Sequence, residues 1–154
     1  MKIVLHQPQI PQNTGNIGRL CVATQTELIL VRPLGFQITD TQLKRSGLDY
    51  WQYLSYSILE NWEAVLAQNP MARFWLFSTK GTKHYTEVRY TPNDLLVFGS
   101  ESCGLPVELR EKHPDAVVTL PMWGKTRSLN LSTSAGIALY EAYRQLGFPS
   151  ISKS

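Results

Sequence analysis

Residues 95–106 read LLVFGSESCGLP. Four consecutive apolar residues, Leu95–Phe98, show no polar alternation, which is the pattern of a strand covered on both faces. Gly99 and Gly104 bracket a polar turn. Pro106 is suited to open a helix over Val107–Lys112, because the N–H that proline lacks has no partner in a first helical turn anyway. A buried strand leading through a loop into a helix is a unit of a parallel sheet, whose ligands sit beyond the carboxyl ends of the strands. Working outward, further strands are expected at Lys2–Leu5, Leu28–Val31, Tyr53–Ser57, Arg73–Ser78 and Val117–Leu120. Helices are expected at Asn16–Thr24, Thr41–Ser46, Trp62–Gln68 and Leu131–Leu146. The alternation predicts an α/β fold in which helices flank a parallel sheet.

The chain has 154 residues, 43% of them hydrophobic, which suits one domain with a real core. We expect that domain over residues 1–148 and a short tail over 149–154, after Gly147 and Pro149. No apolar run approaches the roughly 20 residues of a membrane span, and the apolar run in MKIVLHQPQIPQNTG is too short for a targeting core. Cys21 and Cys103 form no CxxC pair, and His6, His84 and His113 lack metal-ligand spacing, so neither a disulfide framework, a zinc site nor another metal is expected. A cytoplasmic setting is the expectation. The net charge is only +3, but residues 1–50 carry +2, residues 51–117 carry −2 and residues 118–154 carry +3. A fold that joins the chain ends would concentrate that positive charge.

Two other segments stand beside 95–106. In QNTGNIGR (12–19), Asn and Thr can cap a helix, and Arg19 would lie one turn into it. A cation there opposes the helix dipole, so an anionic partner such as a phosphate would explain it, as would a plain surface arginine. In LPMWGKTRSLNLS (120–132), Gly-Lys-Thr is not a Walker loop, because Thr119 stands where that motif needs glycine. What remains is a basic loop before a helix that Asn130 or Ser132 can cap and Gly147 can end. Residues 99–104 are neither GxGxxG nor a P-loop, and Glu101 has no acidic neighbour for paired-carboxylate chemistry. It is free to cap the next helix or to accept from a ligand. The last helix carries one apolar stripe of Leu131, Ala135, Ala138, Leu139, Ala142 and Leu146, and a second face of Gly136, Tyr140 and Tyr143 that suits a subunit contact or burial within the domain. Cys103 in Ser-Cys-Gly also admits a nucleophile turn, with no partner histidine assignable from spacing.

Taken in this order, IVLHQPQIPQNTGNIGRLC, LKRSGLDY, TKGT, FGSESCGLP, LPM and RSLNLSTSAGIALYEAYRQLG resemble the SPOUT class of methyltransferases, and within it the TrmL (YibK-like) family of tRNA 2′-O-methyltransferases. The resemblance spans residues 3–148. It implies a C-terminal deep trefoil knot, a homodimer with the active site near the subunit interface, and S-adenosylmethionine as methyl donor, leaving S-adenosylhomocysteine. It implies methylation of the wobble nucleotide, a cytidine or uridine derivative at position 34, of leucine tRNAs. Another RNA site, or RNA binding without catalysis, are the alternatives. The cofactor residues implied are Phe77, Gly99, Glu101, Leu120, Met122, Ser128, Leu129 and Asn130. Arg19 matches the arginine treated as catalytic in the class, and Tyr140 and Tyr143 fall at the dimer contact. Arg19, Lys44, Arg45, Lys80, Lys125 and Arg127, with Lys83 and Arg144, are candidates for the RNA backbone.

Overall fold

The computed structural model describes residues 1–39, 41, 45 and 50–150. Seven strands form one all-parallel sheet in the order β3-β2-β1-β6-β4-β7-β5. They are β1 (Lys2–His6), β2 (Glu27–Val31), β3 (Tyr56–Leu59), β4 (Phe74–Phe77), β5 (Lys83–His84), β6 (Leu95–Phe98) and β7 (Val117–Thr119). The helices are α1 (Pro11–Thr24), α2 (Trp62–Gln68), α3 (Val107–Lys112) and α4 (Leu131–Gln145). The chain builds outward from β1 through β2 to β3, then places β4 on the other side and inserts β6 between β1 and β4.

All four residues of β6 are buried, as a central strand covered on both faces must be. Alternate side chains face opposite ways. Ile3, Leu5, Leu28, Leu30, Leu96 and Phe98 share one core with α1 and α4. Val4, Ile29, Val31, Leu95 and Val97 share the other with Val65 of α2 and Leu109 of α3. Ala135, Ala138 and Ala142 are fully buried, so small side chains let α4 lie close to its neighbours. Leu146, at the end of the expected stripe, is instead partly exposed. Gly147 takes a positive φ of 80° just past α4, as expected of a helix terminator.

Two expectations shift. The helix expected from Asn16 begins at Pro11, so Asn13, Thr14 and Gly15 are buried helical residues, not caps. The strand expected over Tyr53–Ser57 starts at Tyr56, preceded by a 3₁₀ turn over Trp51–Tyr53. The cause is packing: the Trp51 ring lies so near Gly18 of α1 that a Cβ there would stand 3.1 Å from it, and Trp51 also meets Tyr56 at 5.1 Å. β5 was not anticipated, since two residues carry no periodicity. The helix expected over Thr41–Ser46 lies outside the described residues except for Thr41 and Arg45, which are helical and exposed. Of the expected tail, residues 151–154 also lie outside them.

Asp94, fully buried at the entry to β6, ties the sheet's central edge together. Its carboxylate accepts from Arg73 Nε and Nη2 at 3.3 and 3.1 Å, from Trp75 Nε1 at 2.9 Å, and from the Thr91 amide and hydroxyl. Burial alone would raise its pKa, but these donors together hold it below the usual carboxylate value. Asp94→Ala strands the indole and amide donors, and is expected to cost about 3 kcal/mol. A thermal melt should show Tm lower by roughly 10 °C.

Candidate functional site

The loops after β1, β4, β6 and β7 all emerge at the carboxyl end of the sheet, beside the point where the strand order reverses. They enclose a cavity of about 490 Å³. Its apolar side is a stacked pair, Phe77 and Phe98, with ring centroids 4.7 Å apart and planes 15° from parallel. The 99–104 loop doubles back on itself, the Gly104 amide donating to the Ser100 carbonyl at 2.9 Å. A Cβ on Gly99 would lie 2.0 Å from the Gly104 carbonyl carbon, so only glycine permits this crossing. Gly104 itself has φ +67°.

Glu101 sets the site's framework. Its carboxylate accepts from the amides of Gln9 at 2.9 Å and Ile10 at 2.7 Å, just before α1, and from Asn13 Nδ2 at 3.3 Å. A negative group at a helix N-terminus is favoured by the dipole and by orphan N–H donors. The Asn13 side-chain oxygen then accepts from Asn130 Nδ2 at 3.0 Å. The Asn130 oxygen in turn caps α4, accepting from the amides of Ser132 at 2.9 Å and Thr133 at 3.3 Å. One polar chain therefore joins the 99–104 loop, the start of α1 and the start of α4. It joins the two basic ends of the sequence as well.

All eight residues expected around a cofactor, Phe77, Gly99, Glu101, Leu120, Met122, Ser128, Leu129 and Asn130, line this one cavity. Lys80 and Arg127 line it too, while Lys125 lies on the same exposed loop. Ile10, Asn13 and Arg110 also line it and were not anticipated. Asn13 was legible only as a helix cap. Arg110 gives no local signal, because it sits on the helix after the loop.

Several expected residues stand differently. Arg19 falls in the third turn of α1, exposed, its guanidinium 4.7 Å from the centre of the Tyr50 ring. It does not line the cavity, and at the start of α1 the carboxylate of Glu101 accepts from the Ile10 amide. Glu101 accepts from the amides just ahead of α1 and not from the helix that follows it. Tyr143 turns inward, its hydroxyl 2.7 Å from Thr26 Oγ1, whereas Tyr140 remains half exposed. Arg144 is held bidentately by Glu141 at 2.8 and 2.9 Å, so its charge is matched within α4. Lys83 Nζ reaches the Asp115 carbonyl at 3.4 Å. Lys44 lies outside the described residues. Burial pushes the Cys21 thiol up to about 12, which leaves it inert, while Cys103 is exposed. Among the described residues, no three of His, Cys, Asp and Glu converge to hold a metal ion.

An all-parallel sheet with a loop-built cavity at its strand-order switch is the framework of a ligand-binding α/β enzyme. The model of the SpoU rRNA methylase family matches residues 1–140, and the chain belongs to that family. The tRNA (cytidine(34)-2′-O)-methyltransferase of Methylovorus glucosotrophus is 50% identical over 147 residues, spanning 95% of this chain and 96% of that one. A solved structure concerned with 2-OH methylation of C/U34 on tRNA superposes with a TM-score of 0.91 at 44% identity, covering 95% of each chain. The methyltransferase AviRb from Streptomyces viridochromogenes, solved with AdoMet, superposes with a TM-score of 0.85 at 25% identity, over 95% of this chain and 57% of its own.

The bridge at Glu101 generates one prediction. Glu101→Gln presents an amide NH₂ to donors it cannot accept from, and is expected to cost about 1–2 kcal/mol. Circular dichroism should show Tm lower by roughly 5 °C. Burial generates a second. His6 is 7% exposed, and desolvation holds its imidazole below the ordinary value near 6.5. The unfolded chain therefore protonates first, so the contribution of His6 to stability is whole above about pH 6.5 and is lost as pH falls through the lower folded-state value. Denaturant melts between pH 7 and 5 should show this loss, and His6→Gln should flatten it.

Proposed function

We propose that the chain is a tRNA 2′-O-methyltransferase that methylates the ribose of nucleotide 34, the wobble position, in a leucine tRNA, with S-adenosylmethionine as methyl donor. The observation that carries the reading is the convergence of all eight expected cofactor residues on one cavity. The relatives whose names specify cytidine 34 match along nearly their full length, which favours this RNA site over another.

The lining fits the donor. Phe77, Phe98, Leu120 and Met122 offer apolar surface for an adenine ring, and the doubled-back 99–104 loop and residues 128–130 offer backbone and amide groups for its polar edges. Glu101 holds these loops through α1, and its oxygens already accept three bonds from that side. S-adenosylmethionine supplies a methyl group on a positively charged sulfur, an activated leaving group. The residues must then position the ribose and help its hydroxyl lose a proton, and positioning alone contributes roughly 7–11 kcal/mol in well-oriented reactions. Guanidinium does not deprotonate near neutrality, so Arg19 acts by binding a phosphate or the 2′-oxygen while a phosphate oxygen or water takes the proton.

Arg19 stands outside the cavity of its own chain, so RNA or a second copy must bring it to the reacting ribose. A homodimer meets this need. α1, which carries Arg19, packs beside α4, whose outer face exposes Ile137 and Tyr140. The return of residues 120–130 from β7 to the centre of the sheet suits a knotted path. Lys80 and Arg127 line the cavity, Lys125 lies on the same loop as Arg127, and Trp123 on that loop, 93% exposed, offers a stacking surface for a base. A cytoplasmic tRNA-modifying enzyme is the reading we take from these features.

The test is transfer of labelled methyl from S-adenosylmethionine to bulk tRNA, followed by mapping of the modified nucleotide. Label at the ribose of nucleotide 34 of leucine tRNAs is expected, and label elsewhere, or none, contradicts the reading. Arg19→Lys should lower turnover about ten- to hundredfold, the worth of a charged bidentate contact, with cofactor affinity unchanged.

A further inference from the structure

Behind the 99–105 loop lies a second cavity, of about 440 Å³, at the carboxyl ends of β1 and β2. Ser100, Cys103, Gly104, Leu105 and Arg110 line both cavities, so one thin stretch of backbone separates them. We propose that this second cavity seats the pyrimidine base of the nucleotide whose ribose is methylated, an inference that rests on the function proposed above.

Position comes first. A 2′-oxygen that receives a methyl group must lie at the edge of the first cavity, and its base lies within one sugar's reach of that edge. The second cavity is the space that adjoins it. Shape comes next. Pro33 and Leu34 after β2, with Pro106 and Val107 at the start of α3, give the cavity apolar walls against which a flat ring can lie. Polarity completes the match. Gln9 Oε1 accepts from the Ser102 amide at 3.0 Å and from its hydroxyl at 2.8 Å, so the amide is held in one orientation. Its Nε2 is thereby left to donate, and cytosine and uracil both carry a carbonyl oxygen at C2 that can accept. His6 contributes an imidazole with one donor and one acceptor in its neutral form. Arg110 is the one formally charged residue of this lining, among the described residues. Its Nε donates to the Leu105 carbonyl at 3.4 Å, which leaves the rest of the fork for the nucleotide's phosphate.

Val107 lines the second cavity and not the first, and is 49% exposed, so Val107→Trp fills the proposed seat without burdening the core. In this variant, S-adenosylmethionine affinity by calorimetry should stay within about twofold, while methyl transfer to tRNA falls about a hundredfold, the loss expected when a reacting group is displaced by an ångström or so. In the wild type, cytidine 5′-monophosphate at millimolar concentration should shift the amide resonances of Gln7, Gln9 and Gly35, and in Val107→Trp it should not. Wild-type turnover in Val107→Trp, or nucleotide-induced shifts confined to the 120–130 loop, would overturn the assignment. So would dissociation of a wild-type dimer by Val107→Trp in light scattering, which would make this cavity a contact between copies. If the wild-type enzyme methylates no tRNA, the functional reading fails on its own, and the nucleotide titration still decides whether the cavity takes a pyrimidine.

Discussion

The arrangement of this site depends on where one carboxylate sits. Glu101, on the loop after the central strand, accepts hydrogen bonds from the backbone just ahead of α1 and from Asn13 within its first turn. A helix beginning at Pro11 has no capping side chain at Ile10, so its first donors need a partner from elsewhere in the fold. Glu101, ninety-one residues from Ile10, is that partner for the amides of Gln9 and Ile10 just ahead of the helix. Through Asn13 the same network reaches Asn130 and the start of α4. Three loops that would otherwise move independently are thus held around one cavity, and preorganisation of this kind is what a transfer between two bound reactants requires.

That interaction also explains which parts of the protein could be read from its residues alone. Leu95–Phe98 is an uninterrupted apolar run, and it is the central strand. Asn130 and Gly147 carry local capping chemistry, and they bound α4 as expected. α1 starts five residues before the local capping residues suggest, because the group that holds its start, Glu101, lies ninety-one residues from Ile10, where no local window can find it. Trp51 and Tyr53 alternate like a strand, yet they form a turn because Gly18 leaves room for an indole ring. The second cavity was invisible for the same reason as the start of α1. Its walls come from the ends of two strands and the start of a helix, and none of these pieces carries a motif.

Charge placement follows the same logic. A net charge of +3 spread over a surface would say little, but the basic ends meet where Asn13 bonds Asn130. Lys80 and Arg127 then border the first cavity and Arg110 stands between the two. Glu101 is the only carboxylate in the first lining among the described residues, and its oxygens are turned to α1. Elsewhere Arg144 is matched by Glu141 and Arg73 by Asp94. Lys80, Arg110 and Arg127 leave three cationic groups in the lining of the first cavity.

We propose that the loops tied by Glu101, Asn13 and Asn130 form the S-adenosylmethionine site. Hydrogen exchange read by mass spectrometry, with and without S-adenosylmethionine, tests it most directly. Slowed exchange is expected in residues 99–105, residues 120–130 and the first turn of α1, with β2 and α2 unchanged. Protection confined to other segments, or none at saturating cofactor, would contradict it.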